Sequence, residues 1–297
     1  MDSIRKNKLA ITLFMLPAAL LFFGIIIVPI IMSVTYSFQD WNGITEPEFV
    51  GLKNYIELFT SKSAGFPKTT FNALLLAVLS VFIQLPLSLG LALLISRGIK
   101  GERFFMTVFF VPVLMSTVVI GQLWLKIYNP NYGVLNVLLD KIGLHSLAET
   151  VWLGDPKTVL LAAFIPNLWQ YVGYHMLLMY AGIKSVSPDI IEAAKIDGAT
   201  DWQINTRIII PLLKPVIKIC VIFAVTGSLK TFDLIYVLTG GGPDHASEVP
   251  STLMVNMIFD ESRYGYGSAV AVMIIFLCFF FAVLIKKGIK TEDYDEK

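Results

Sequence analysis

Long stretches without a charged residue restrict the possible folds of this chain more than any other feature. Five such stretches each exceed 20 residues, and a sixth is apolar except for Lys230 and Asp233. An α-helix rises about 1.5 Å per residue, so about 20 apolar residues cross the roughly 30 Å of hydrocarbon in a bilayer. The sequence therefore predicts six transmembrane helices, at approximately 9–38, 69–96, 104–126, 158–182, 213–239 and 264–286.

The composition agrees with a membrane protein and excludes other classes. Hydrophobic residues make up 56% and charged residues 15% of the 297 residues, whereas soluble domains have about 45–50% and about 25%. A net charge of +1 offers no electrostatic attraction for nucleic acid. The cysteines and histidines show no metal-ligand spacing, so no metal site is predicted. We therefore expect an all-α integral membrane protein in which residues 1–297 form one domain surrounded by lipid.

Positive charges are distributed unequally between the two sides of the predicted bundle. The N-terminus, the second and fourth connections and the C-terminus carry 15 Lys and Arg residues, and the other three connections carry seven. Because cytoplasmic loops are enriched in Lys and Arg, both termini are predicted to be cytoplasmic. The first apolar stretch is far longer than the roughly 7–15 residues of a signal-peptide core, which predicts a retained first helix.

The fourth connection, a cytoplasmic loop in this topology, contains strong helix start and stop signals. Ser187 can cap a helix that ends at Gly198, and Thr200 with Gln203 forms a T-x-x-Q capping box for a second helix. The segment 187–211 is therefore predicted to form two short helices that project into the cytoplasm. Small residues in the first helix permit the close approach of another protein, which indicates a docking element.

This segment resembles a known motif. Its sequence, SPDIIEAAKIDGATDWQINTRIIIPLLKP, is similar to the EAA loop of binding-protein-dependent ABC importer permeases, where an E-A-A-x-x-x-G core precedes an I-x-x-P signature. The residues at the motif positions are Glu192, Ala193, Ala194, Asp197, Gly198, Ile208 and Pro211. The resemblance implies an ABC type I importer permease fold with a cytoplasmic two-helix EAA coupling loop.

Other segments resemble the carbohydrate-uptake class of these permeases, whose substrates are di- and oligosaccharides. They are FVGLKNY at 49–55, WLGDP at 152–156 and FDLIYVLTGGGP at 232–243, with Ser251 and Thr252 after it. Within that class the chain is similar to the maltodextrin-type first permease subunit. It departs from the enterobacterial maltose permease, which has extra N-terminal helices and a large periplasmic insertion.

The resemblance also implies partners and a mechanism. A second homologous permease would complete a heterodimer, two cytoplasmic ATPase subunits would supply energy, and an extracellular solute-binding protein would deliver the solute. The sequence contains no G-x-x-x-x-G-K-[ST] phosphate loop, so ATP and magnesium are expected on the ATPase, with no cofactor or enzymatic activity on this chain. Such permeases work by alternating access in the prokaryotic plasma membrane. Glu192 would face a basic residue of the ATPase, and Gly198 would allow close approach.

Polar and aromatic residues in the fourth and fifth predicted helices are candidates for a substrate path. Such groups suit sugars, which need hydrogen bonds and ring stacking, although interfacial anchoring and helix packing produce the same pattern. The candidates are Asn167, Gln170, Tyr171, Tyr174, Gly227, Ser228, Lys230 and Asp233. The resemblance places Asn167, Tyr171, Tyr174, Gly227 and Ser228 where the maltodextrin type contacts sugar. Lys230 and Asp233, three residues apart, either form a structural pair or line the path.

The favoured prediction is an importer permease for an oligosaccharide or a related sugar, and three alternatives are left. The first is a glycerol-3-phosphate-type or polyol importer permease of the same family; a cluster of basic residues at membrane depth would support the phosphate cargo, and only Lys230 qualifies. A secondary transporter would need an ion-coupling site and usually internal repeats. A lipid-processing enzyme would need a catalytic cluster, and the sequence shows no nucleophile motif.

Overall fold

The computed structural model describes residues 8–60 and 65–290, with side chains from residue 11 onward. Four basic residues that contribute to the predicted orientation, Arg5, Lys6, Lys62 and Lys297, lie outside the described residues. The chain divides into two compact units, Met1–Gly65 with Leu253–Ile275, and Phe66–Thr252 with Phe276–Lys297. The single domain over 1–297 stays a prediction.

The first unit begins with two helices, α1 (Lys8–Phe22) and α2 (Val28–Ser37), joined by a π-helical turn at Phe23–Ile27. A two-stranded antiparallel ladder of β1 (Gln39–Asp40) and β2 (Glu48–Phe49) and helix α3 (Lys53–Thr60) follow. The buried Asn54 side chain donates to the carbonyl oxygens of Ser37 and Gln39, each at 2.9 Å. These two bonds attach α3 to the end of α2.

The rest of the described chain is almost entirely helical. In chain order the helices are α4 (Phe66–Leu79), α5 (Leu85–Ile95), α6 (Glu102–Leu114), α7 (Thr117–Ile127), α8 (Val134–Lys141), α9 (His145–Ala148), α10 (Val159–Lys184), α11 (Pro188–Ile196), α12 (Asp201–Ile204), α13 (Ile210–Leu212), α14 (Lys214–Leu229), α15 (Asp233–Thr239), α16 (Pro250–Val255) and α17 (Tyr264–Gly288). Further π-helical turns join α4 to α5, join α12 to α13 and follow α16.

Within the described ranges, three helical segments are long and apolar enough to cross a membrane: Ile11–Ser37, Phe66–Ile95 and Tyr264–Gly288. Two bent pairs raise the number to five if each pair is one span: α6 with α7, and Asp201–Leu212 with α14. Helix α10 is 26 residues long but is not among them, because polar residues occupy its middle. The predicted count of six spans therefore stays a prediction.

Two helices predicted to be continuous are interrupted. The predicted helix 104–126 bends by 99° between α6 and α7, where Met115 and Ser116 adopt extended backbone angles just after Pro112. The predicted helix 213–239 stops at Leu229 and restarts at Asp233. Thr226 and Ser228 lie just before this break. Their side-chain hydroxyls donate to the carbonyl oxygens four residues earlier, and such bonds perturb a helix.

Helix α10 is the central element of the second unit. A Cβ atom at Gly173 would overlap the carbonyl oxygen of Phe109, so a glycine there lets the backbones of α10 and α6 touch. On another side, the fully buried Met176 and Met179 pack with Ala92 and Ile95 of α5. Because α10 is fixed by these neighbours, its polar residues hold defined positions.

Candidate functional site

The second unit contains a cavity of about 490 Å³. All eight candidate path residues line it, namely Asn167, Gln170, Tyr171, Tyr174, Gly227, Ser228, Lys230 and Asp233. The structure thus brings together residues from α10, from α14 and from the break after α14. Their roles toward a solute stay a prediction.

Two contacts define how the helical walls of the cavity run. Asn167 Nδ2 donates to Thr231 Oγ1 at 2.8 Å, and the rings of Tyr174 and Phe223 lie 6.3 Å apart between centroids. From the Asn167–Thr231 contact to the Tyr174–Phe223 contact, residue numbers increase along α10 and decrease along the segment that contains α14 and Thr231. The two segments are therefore antiparallel. The end near Tyr174 and Phe223 lies toward the start of α14, and the end near Asn167 lies at the helix break.

The break between α14 and α15 places charged groups on the cavity wall. Lys230 caps the C-terminus of α14, Asp233 begins α15, and both are exposed and line the cavity. The side chains of these two described residues form no ion pair with each other. Of the two alternatives, the structural pair is therefore not formed, because the interruption removes the helical spacing on which the pairing depended.

Sequence reasoning missed part of the wall, including Ser80, Gln84, Thr117, His175, Phe223 and Thr231. Ser80 and Gln84 begin and end the π-helical turn between α4 and α5, a feature frequent at functional sites. Both are buried polar residues in a stretch predicted to span the membrane. Polar residues within a predicted span are the signal that could have identified them.

The wall combines aromatic rings with hydroxyl and amide groups. Tyr171, Tyr174, Phe223 and Phe232 supply the rings, and one lysine and one aspartate supply opposite charges. No group of three or more potential metal ligands occurs in the part of the chain that the structure describes. Such a surface can bind a neutral, polyhydroxylated solute by stacking and hydrogen bonding.

The segment 187–211 forms the two short helices that its sequence predicts. Ser187 accepts from the amide of Asp189 at 3.3 Å at the start of α11, and the capping box of Thr200 and Gln203 is complete at α12. Helix α11 ends in a left-handed turn at Gly198, with φ of +79°. The predicted caps are confirmed.

The residues at the EAA motif positions are largely accessible. Glu192, Ala193, Asp197, Gly198 and Pro211 are exposed, and Ala194 and Ile208 are partly buried. Two large apolar side chains next to them are also exposed: Ile196 at 86% and Trp202 at 75%. The segment therefore presents both carboxylates and apolar groups at its surface.

Polar contacts join the end of α10, which precedes this segment in the chain, to α5 and α6. Glu102 of α6 accepts a hydrogen bond from Tyr180 and lies 3.7 Å from Lys184, near the end of α10. Lys184 also donates to the carbonyl oxygen of Ser96 at 3.0 Å. The end of α5, the start of α6 and the end of α10 thus meet at Lys184, four residues before the start of α11.

Comparison with known proteins identifies the class to which this fold and cavity belong. Residues 84–287 match the family of binding-protein-dependent transport system inner membrane components, so the chain belongs to that family. It is 37% identical to a probable ABC transporter permease protein, YurN, of Bacillus subtilis, over 97% of this chain and 98% of that protein. It is 32% identical to the trehalose/maltose transport system permease protein MalF of Thermococcus litoralis, over 95% and 94%.

A solved structure shares the fold. The chain is similar, with a TM-score of 0.80 and 25% identity over 98% of both chains, to a bacterial alginate ABC transporter that was crystallised with its alginate pentasaccharide-bound periplasmic protein. This similarity confirms the predicted ABC importer permease fold, whereas the number of spans and the coupling role of segment 187–211 stay predictions. The chain is a membrane-embedded transport component of an ABC importer.

Proposed function

We propose that this chain is a permease subunit that moves an oligosaccharide or a related sugar into the cytoplasm. The observation that carries the proposal is the cavity of about 490 Å³, lined by rings, amides and hydroxyls, in a member of this family. The names of relatives support a sugar as the cargo, since they include trehalose, maltose and alginate.

The cavity residues have distinct roles in this proposal. Tyr174 and Phe223 would stack on the C–H face of a sugar ring, since their own rings already lie side by side. Asn167 would accept from a sugar hydroxyl with Oδ1, because its Nδ2 is bonded to Thr231. Gln170, Tyr171, Gly227 and Ser228 would line the same path.

The segment 187–211 would be the EAA coupling loop of this importer. Its exposed Glu192 would face a basic residue in a cleft of the ATPase, and the turn at Gly198 would come close to the ATPase backbone. The remaining motif residues, Ala193, Ala194, Asp197, Ile208 and Pro211, would shape the docking surface. ATP and magnesium would bind to the ATPase, so this chain would be neither an enzyme nor a cofactor carrier.

The proposed assembly contains this permease, a second homologous permease, two ATPase subunits and an extracellular solute-binding protein. Six helices would span the prokaryotic plasma membrane, with both termini in the cytoplasm, as the Lys and Arg distribution favours. Closure of the ATPase dimer on ATP would move the coupling loop and open the path outward. The binding protein would then release its sugar into the cavity.

An importer for glycerol-3-phosphate or a polyol is the second candidate. The observation that favours it is Lys230, an exposed cation on the cavity wall that could attract a phosphate ester. The nearby Asp233, which also lines the cavity, would repel the same anion. A neutral sugar therefore fits the wall better.

Uptake into proteoliposomes tests the proposal. The complete importer is reconstituted with its binding protein outside, and radiolabelled maltose, maltotriose, trehalose, xylose and glycerol-3-phosphate are offered separately. We expect ATP-dependent uptake of at least one neutral sugar. Uptake of glycerol-3-phosphate alone would favour the second candidate, and gradient-driven uptake by this chain without its partners would contradict an ATP-driven importer.

A further inference from the structure

A buried histidine on the cavity wall lacks a hydrogen-bond partner. Within the described chain, five buried side-chain nitrogen or oxygen atoms have none, and they belong to Gln39, Thr70, Trp124, Tyr128 and His175. Of these five residues, His175 is the one that lines the cavity, and its side chain is only 3% exposed. Buried polar atoms are nearly always paired in proteins, so an unpaired Nδ1 at this place needs an explanation.

Other polar groups on the same wall already have partners within the chain. Gln84 Nε2 donates to the carbonyl oxygen of Leu168 at 2.7 Å, and Ser228 Oγ donates to that of Ala224 at 2.7 Å. These bonds give the two groups partners within the chain. His175 differs from them, because neither of its ring nitrogens forms a hydrogen bond within the described chain; Nδ1 is enclosed by protein, so Nε2 is the nitrogen that a solute in the cavity can reach.

The position of His175 in the cavity follows from its neighbours. It is adjacent to Tyr174, and the two rings meet edge to face at 5.3 Å between centroids. Tyr174 in turn lies beside Phe223 of α14. His175 therefore lies at the end of the cavity nearest the start of α14, beside the two rings that would stack on a sugar.

We infer that His175 is a specificity-determining residue that forms a hydrogen bond with one hydroxyl group of the transported sugar at this end of the cavity. The inference rests on the proposed function, since it needs a sugar in the cavity. Nε2 of a neutral imidazole is a donor or an acceptor, depending on the tautomer, and a hydroxyl group can pair with it in either state. A sugar that lacks this hydroxyl would leave the histidine unpaired and would be transported less well.

The test compares uptake of a sugar and of its monodeoxy derivatives by the reconstituted importer. The probe is whichever of maltose, maltotriose, trehalose and xylose the wild-type importer takes up fastest. The binding protein is saturated with each compound, so that its own selectivity does not enter the ratio of rates. The variants are His175→Phe, which keeps a ring without nitrogen, and His175→Gln and His175→Asn, which keep polar atoms. Met176→Leu, at a buried neighbour that does not line the cavity, is the control.

We expect the wild type to prefer the parent sugar over one monodeoxy derivative by about 2- to 10-fold, the range for one neutral hydrogen bond. In His175→Phe this ratio should fall to near one, while the ratios for the other deoxy positions stay unchanged. His175→Asn or His175→Gln should keep part of the preference, and Met176→Leu all of it. A purely structural histidine would lower every rate equally.

Two results would overturn the inference. If every ratio in all three His175 variants equals the wild-type ratio, His175 does not contact the sugar, although the proposed function stands. If the wild-type importer takes up none of the four sugars, the proposed function fails and the inference fails with it. If only His175→Phe fails to fold, the ratios of uptake rates in the Gln and Asn variants, whose side chains stay polar, still test the inference.

Discussion

Replacing Gly198 by leucine should uncouple the importer while this subunit still folds and assembles. Gly198 has φ of +79°, and a Cβ atom built there would have no neighbour within 4 Å. The substitution therefore causes no internal clash and costs only the left-handed backbone strain, about 1–2 kcal/mol. A leucine side chain would, however, project from the turn between α11 and α12, where the proposed docking needs close approach. We expect loss of both sugar uptake and binding-protein-stimulated ATP hydrolysis, with normal insertion and assembly.

The matched control is Gly143→Leu. Gly143 has φ of +82° and also has no neighbour within 4 Å of a built Cβ, so it carries the same strain in a different loop. Both variants should lower the thermal unfolding temperature of the purified complex equally, but only Gly198→Leu should abolish stimulated ATPase activity. Normal stimulated activity in Gly198→Leu, or an equal loss in both variants, would refute the docking role.

The remaining predictions concern the path and the topology. Tyr174→Ala should reduce uptake from severalfold to tenfold or more, since it removes a stacking ring and a hydroxyl, while sugar binding to the isolated binding protein stays unchanged. If the cargo is a neutral sugar, the double variant Lys230→Gln with Asp233→Asn should retain uptake; if the cargo is a phosphate ester, the same variant should lose it, as measured with the radiolabelled cargo that the wild type carries. In a background without native cysteines, Asp197→Cys should resist an impermeant thiol reagent in intact cells, whereas Gly241→Cys should react; labelling at position 197 from outside would contradict the orientation.

The family and the local helix signals were readable from the sequence because each depends on residues close together in the chain. The caps of α11 and α12 follow from Ser187, Thr200 and Gln203, which act within three residues. The candidate path residues on α10 and α14 also proved to share one cavity. Short-range hydrogen bonding is sufficient to predict the caps, whereas the resemblance to a known family is what placed five of the path residues together.

The pairing of Lys230 with Asp233 could not be predicted correctly, because it depended on a helix that is interrupted between them. Hydropathy patterns identify a span but do not show where its backbone leaves the helix. His175 was missed for a related reason: a lone histidine in a predicted transmembrane helix resembles a packing residue until its surroundings are known. Its importance depends on a missing partner, and that information is tertiary.

Two backbone irregularities of the second unit lie at the cavity, and this placement has a physical reason. The π-helical turn Ser80–Gln84 and the break at Lys230 both contribute side chains to its wall. Inside a bilayer, backbone groups freed by such irregularities need partners, so they are tolerated where they line a polar cavity and are costly where they face lipid. Side chains at both irregularities also bond α10: Gln84 Nε2 donates to the carbonyl oxygen of Leu168, and Thr231 Oγ1 accepts from Asn167. The features that hydropathy cannot show are therefore the ones that build the path.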